Sequence, residues 1–128
     1  MRVLGLMSGT SMDGLDCGLF EISLTLDYQL NWNCIDFKTF SYSAEIRESI
    51  SNALAGDEGV VRAADRILGQ EFASISKEFI NGRKIDLIAS HGQTISHDDG
   101  VSTRQIGNPQ YLQKIFQVPL VFNFRQAD

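Results

Sequence analysis

Gly5-Leu6-Met7-Ser8-Gly9-Thr10-Ser11-Met12-Asp13-Gly14-Leu15-Asp16 is the stretch on which the reading of this chain turns. Arg2 to Met7 is apolar and strand-like, and the run from Ser8 to Gly14 interrupts it with residues that favour turns. From Leu15 to Leu24 a second strand resumes, with Leu15, Cys17 and Leu19 at the alternating apolar positions. Two glycines in a tight turn let backbone N–H groups point the same way, and Thr10 and Ser11 add hydroxyl donors. Such a turn can hold a phosphate. It has no lysine and does not open a helix, so it matches neither the P-loop nor the dinucleotide-binding pattern. Spacing alone leaves a second reading open, a plain hairpin turn in which Asp13 and Ser11 bond their own backbone.

Outward from that turn, a third strand is expected over Trp32 to Phe40, completing an antiparallel meander. The period then changes. Ile46, Ile50, Ala53 and Leu54 fall on one helical face, and Gly56-Asp57 ends that helix and caps the next. In the second helix Val61, Ala64, Leu68, Phe72, Ile75 and Phe79 recur at spacings of three and four, up to Asn81-Gly82, which supplies a left-handed stop. Ile85 to Ala89 reads as a buried strand that empties into a polar loop beginning Ser90-His91-Gly92-Gln93-Thr94. A strand over Thr103 to Ile106 follows. Asn108-Pro109 then opens a helix carrying Tyr111, Leu112, Ile115 and Phe116 inward, and Leu120 to Phe124 forms a last strand. The order β-β-β-α-α-β-β-α-β predicts an α/β lobe, a mixed sheet flanked by helices, as one domain over residues 1–128.

Composition narrows the function classes. Apolar residues make up 43% and charged residues 21% of 128, which is ordinary globular usage. A net charge of −5 with no cluster of Lys and Arg argues against nucleic-acid binding, while backbone amides can still bind an anion. No apolar run reaches membrane-spanning length, and MRVLGLMSGT is no secretory signal, so the expected compartment is the cytoplasm. Cys17 and Cys34 fall in strands and are expected as buried small hydrophobes rather than metal ligands or a disulfide.

Four ordered motifs carry a resemblance across the whole chain: the opening Gly5–Asp16 stretch, Ser90-His91-Gly92-Gln93-Thr94, Gln105-Ile106-Gly107-Asn108-Pro109, and Phe124-Arg125 with Asp128. Together they are similar, in the first case almost letter for letter, to the anhydro-N-acetylmuramic acid kinases. The resemblance implies an actin-like ATPase (ribonuclease H-like) fold of two lobes, with ATP and Mg in the cleft between them. It implies a peptidoglycan-recycling transferase in which water opens the 1,6-anhydro ring of the amino sugar and O6 takes the γ-phosphoryl group. Carried over by position, Gly9, Thr10, Ser11, Met12, Asp13, Gly14, Leu15 and Asp16 form the ATP- and phosphate-binding hairpin. His91, Gln93, Thr94, Arg125 and Asp128 are expected to contact substrate. For His91, spacing alone also allows a histidine satisfied by loop backbone.

Sugar kinases of the wider fold carry a carboxylate just before the Gly-Thr pair to orient magnesium, whereas Met7 stands there in this chain. Asp13 or Asp16 is the substitute expected. His97-Asp98-Asp99 before Gly100 reads as an exposed turn rather than a metal cluster, and this chain has Asp98-Asp99-Gly100 where the family tends to have a proline soon after the matching histidine. Asn123 likewise replaces an aspartate. The family's second phosphate loop, catalytic aspartate and adenosine pocket are expected beyond the position of Asp128. No catalytic residue is therefore assigned within the chain, which alone is expected to be inactive, as a truncated N-terminal lobe or a subunit needing a partner chain. The resemblance also implies a homodimer for the full protein. The alternative is a non-catalytic nucleotide- or sugar-binding module of the same fold.

Overall fold

The computed structural model describes residues 1–8, 12–54, 56–96 and 103–122. Three strands come first: β1 (Arg2–Ser8), β2 (Gly14–Leu24) and β3 (Leu30–Ser41). Helices α1 (Ala44–Leu54) and α2 (Glu58–Ile80) follow, then β4 (Leu87–Ser90), β5 (Gln93–Ser96), β6 (Thr103–Ile106), α3 (Gln110–Phe116) and β7 (Leu120–Phe122). The central sheet has the order β3-β2-β1-β4-β7, and β5 and β6 form a separate pair. It is mixed: β1, β2 and β3 are an antiparallel meander, while β4 lies parallel to both β1 and β7.

Local chemistry explains the helix ends. The Asp57 side chain accepts from the Val60 N–H at 3.0 Å, satisfying one of the amides that begin α2. Asn81 ends that helix in the left-handed region (φ 49°), its N–H donating to the Lys77 carbonyl, and Gly82 follows at φ 83°. α3 begins at Gln110 with Pro109 at its N-cap, one residue later than an Asn108 cap would place it, and Asn108 Oδ1 accepts from the Gln110 N–H at 2.9 Å.

One face of the sheet packs on the helices. Leu4, Leu6, Leu15, Cys17 and Leu19 alternate toward that side and meet Ile50, Leu68, Phe72 and Phe79 in one apolar cluster that also takes in Leu112. Burial pushes the Cys17 thiol up to about 12, with the Asp16 charge adding to it, so this thiol is an inert core group. The other face is open and apolar. Gly5, Met7, Gly18, Phe20, Phe37 and Ala89 line a shallow groove of about 270 Å³ there, and Phe37 and Trp32 are 58% and 66% exposed.

Four expectations need correction. The segment read as a polar loop after Ser90 contains a strand, β5, because Gln93–Ser96 pairs with Ile106–Thr103 and buries Ile95 against the core. A single isoleucine among polar residues carries too little pattern to announce it. Cys34 is exposed, since β3 is the sheet edge and its side of the meander meets no helix. Ile115 and Leu54 are likewise exposed, each lying at the margin of a helix whose buried stripe is narrower than its apolar one. The last strand is described to Phe122, and its expected continuation to Phe124 lies outside the described residues.

Candidate functional site

Because β1 and β4 are parallel and adjacent, their carboxyl ends lie side by side, with Leu6 opposite Ser90. In open α/β sheets ligands bind at such strand ends. Ser8 ends β1 and leads into the glycine-rich turn; Ser90 ends β4 and leads into His91-Gly92-Gln93. The His91 N–H donates to the Leu6 carbonyl at 3.2 Å, which ties the two segments together. β7 joins the same edge, with Phe122 opposite Ser90. The sheet thus brings together the turn and the His91 segment, two of the motif regions separated by more than seventy positions in sequence.

The turn is held at both ends. Ser8 pairs with Leu15 across the hairpin, and Gly14 pairs with Ser41 of β3. A side chain at Gly14 would put its Cβ 2.7 Å from the Phe40 carbonyl oxygen, so only glycine lets β3 approach this closely. Met12 takes a left-handed conformation (φ 57°), reversing the chain ahead of Asp13. The Asp13 carbonyl accepts from the Tyr42 N–H at 2.9 Å. On the entry side, the Ser8 hydroxyl lies 2.9 Å from the Tyr42 hydroxyl and donates to Gln93 Oε1. The Gln93 amide nitrogen in turn donates to the Thr94 carbonyl at 3.1 Å. Burial raises the Tyr42 hydroxyl well above the ordinary tyrosine range, with its hydrogen bond to Ser8 opposing the shift, so the phenol keeps its proton.

The predicted residues divide by position. Gly9, Thr10, Ser11, Arg125 and Asp128 lie outside the described residues, as do His97, Asp98, Asp99 and Asn123. Met12, Asp13 and Gly14 sit at the turn, Asp13 exposed and Met12 packed partly against the core. The Leu15 side chain is fully buried toward the helices, which leaves it only backbone groups to offer a ligand. Asp16 faces the open side of the sheet, where its Oδ1 accepts from the Thr39 hydroxyl at 2.7 Å. Its other neighbours there are Gly5, Met7 and Phe37, an apolar setting unlike a metal site. Asp13 is exposed at the turn. Among the described residues no three His, Cys, Asp or Glu side chains gather into a metal-binding group.

His91 is buried, with Nδ1 3.2 Å from the Gly92 carbonyl. Gly92 needs its positive φ of 79°, and a Cβ there would meet the Ile106 carbonyl oxygen at 2.9 Å, so the segment is tightly wedged against β6. Gln93 is also buried, its carbonyl turned toward Ser8, and the Thr94 hydroxyl donates to Gln105 Oε1 at 3.0 Å across the β5–β6 pair. Sequence reasoning missed Ser8 and Tyr42. Tyr42 stands between a strand and a helix in Ser41-Tyr42-Ser43, and no local motif announces an aromatic there as a tie.

The family model described as "Anhydro-N-acetylmuramic acid kinase" matches residues 1–128. The chain belongs to this family. Among curated members, the anhydro-N-acetylmuramic acid kinase of Microcystis aeruginosa is 37% identical over 140 aligned residues, covering 100% of this chain and 36% of the relative. Those of a Picosynechococcus strain and of Streptomyces avermitilis are each 36% identical, again over 100% of this chain and 36% of their own lengths. The chain thus spans a little over a third of the curated family members it matches. The mixed five-stranded sheet with its helices is the α/β arrangement of the family's actin-like ATPase fold. Among the described residues no helix is long and apolar enough to cross a membrane.

Proposed function

We propose that this chain supplies the phosphate-binding part of an ATP-dependent kinase acting on 1,6-anhydro-N-acetylmuramic acid. The observation that carries the reading is the meeting of the glycine-rich turn after β1 with the His91–Thr94 segment after β4 at one sheet edge. The product would be N-acetylmuramic acid 6-phosphate: water adds its oxygen to C1, the C1–O6 bond breaks, O6 takes the γ-phosphoryl group and ADP leaves. Most of the protein's part in phosphoryl transfer is positioning and charge stabilisation. Backbone amides of residues 9–14 would hold the nucleotide's terminal phosphates, with Thr10 and Ser11 hydroxyls beside them. A magnesium ion entering with ATP would neutralise phosphate charge, and Asp13 is the residue assigned to its hydration shell. His91, Gln93 and Thr94 would line the sugar side, with Arg125 and Asp128 completing it. The water-activating carboxylate is assigned to the part of the family members that this chain does not match. Such a kinase works in the cytoplasm, where ATP is available, and the full-length protein is assigned as a homodimer.

Two preparations test this. The 128-residue chain is incubated with ATP, magnesium and the anhydro-sugar, and so is the same chain joined to the unmatched remainder of the Microcystis relative. Mass spectrometry should find the 6-phosphate only with the joined protein. Turnover by the short chain above a Gly9→Val/Thr10→Val variant would refute its inactivity; a silent joined protein, folded by circular dichroism, would refute the kinase reading.

A further inference from the structure

Tyr42 grips the glycine-rich turn from both sides. Its backbone N–H binds the Asp13 carbonyl at the exit, and its hydroxyl lies 2.9 Å from the Ser8 hydroxyl at the entry. The ring itself is anchored in the main core, with the residue 3% exposed. Because the one Ser8 hydroxyl proton goes to Gln93 Oε1, the contact between the two hydroxyls places Tyr42 as donor to Ser8 Oγ, and the Gln93 amide N–H carries the chain on to the Thr94 carbonyl. In a chain of this kind each donor polarises the next, and in a buried setting an incomplete chain is costly, so its members hold one geometry. We propose that Tyr42 is a positioning residue for phosphate binding, fixing where Ser8 at the end of β1 and Asp13 ahead of β2 lie relative to each other.

This rests on the phosphate-binding reading given above, and it adds a role for residues that touch no ligand. It also changes what Gln93 does. The Gln93 side chain acts on the turn through Ser8, coupling the β4–β5 segment to the β1–β2 hairpin. Motion on the sugar side would then be felt at the phosphate side through three side chains.

Substitution separates the phenol from the rest of the residue. Tyr42→Phe keeps the ring in the core and the N–H on Asp13, and loses only the link to Ser8. The probe is inorganic triphosphate, titrated into the nitrogen-15-labelled 128-residue chain while the amide signals of residues 8–14 are followed. The wild-type chain should show saturable shifts confined to the turn. Tyr42→Phe should weaken that binding about tenfold, the scale of one buried hydrogen bond. Ser8→Ala should weaken it by a similar factor, and the double variant should be no worse than either single one, because both break the same link. A residue with a merely structural part would instead lower the urea midpoint and leave the affinity of the folded fraction unchanged. Wild-type affinity in folded Tyr42→Phe, or additive losses in the double variant, would overturn the proposal while leaving the phosphate site standing. Absence of saturable shifts in the wild-type chain would overturn both.

Discussion

The two ends of the central sheet are built on different principles. At the turn end, Ser8, Tyr42, Ser90, His91 and Gln93 are all buried; hydrogen bonds link the Ser8, Tyr42 and Gln93 side chains, and the His91 N–H donates to the Leu6 carbonyl, joining elements distant in sequence. At the opposite end, the terminal amine reaches Glu21 at 3.3 Å, Arg2 Nε reaches the same carboxylate at 3.6 Å, and the Arg2 N–H donates to Asp86 at 2.8 Å, largely exposed to solvent. Exposed pairs of this kind contribute little, because water screens them and long side chains lose entropy to form them. A buried polar network is a different investment, tolerable only when satisfied. Proteins that depart from a purely apolar core tend to do so where they function. The polar groups are buried at the end carrying the family's glycine-rich motif.

The two faces of the same sheet differ as well. The helix-covered face closes over Leu4, Leu15 and Leu19 completely, whereas the opposite face leaves Phe20, Phe37 and Trp32 as an apolar surface. Parallel strands such as β1, β4 and β7 are normally covered on both sides. Curated family members are longer than this chain, which matches 36% of their length.

Substitutions at the two ends should therefore have unequal effects. Gln93→Ala, at the buried end, removes an enclosed side chain and leaves the Ser8 hydroxyl without its acceptor, and should cost about 2–4 kcal/mol in urea unfolding. A cost below that of an ordinary surface change would contradict the network. Gly14→Ala, at the same end, pushes a methyl group against the Phe40 carbonyl and should cost about 1–3 kcal/mol by overpacking, with the damage seen as lost protection of the β2–β3 amides. Asp86, at the exposed end, should matter least. The Arg2 N–H hydrogen bond holds its carboxyl below the usual carboxylate value, with Lys84 and the terminal amine helping. A depressed value means that its contribution is present above the unfolded-state value near pH 4 and fades as pH falls through the folded one. Asp86→Asn should remove only a slight acid dependence below about pH 4. A large change at neutral pH would reverse the ranking of the two ends.

What could be read in advance follows the range of the interactions. The caps at Asp57 and Asn81 and the buried stripe of α2 depend on residues three or four apart, and all were legible. The turn was legible because its glycines and hydroxyls are contiguous. Strand β5 was not, since Gln93–Ser96 becomes a strand only by pairing with β6. The exposure of Cys34 and Trp32 depends on β3 lying at the edge, which alternation alone does not tell. Tyr42 shows the limit most clearly: its partners are Ser8 and Asp13 on one side of the sequence and, through Ser8, Gln93 on the other.

The most direct test uses the manganese complex of ATP as a paramagnetic probe on the labelled wild-type chain. If the terminal phosphates sit at the turn, amide signals of Ser8, Asp13, Gly14 and Gln93 should broaden first, while those of Asp27, Tyr28 and Asn81 stay sharp. Broadening centred on the far end or on the open face around Gly18 and Phe37, or none at all, would contradict the account.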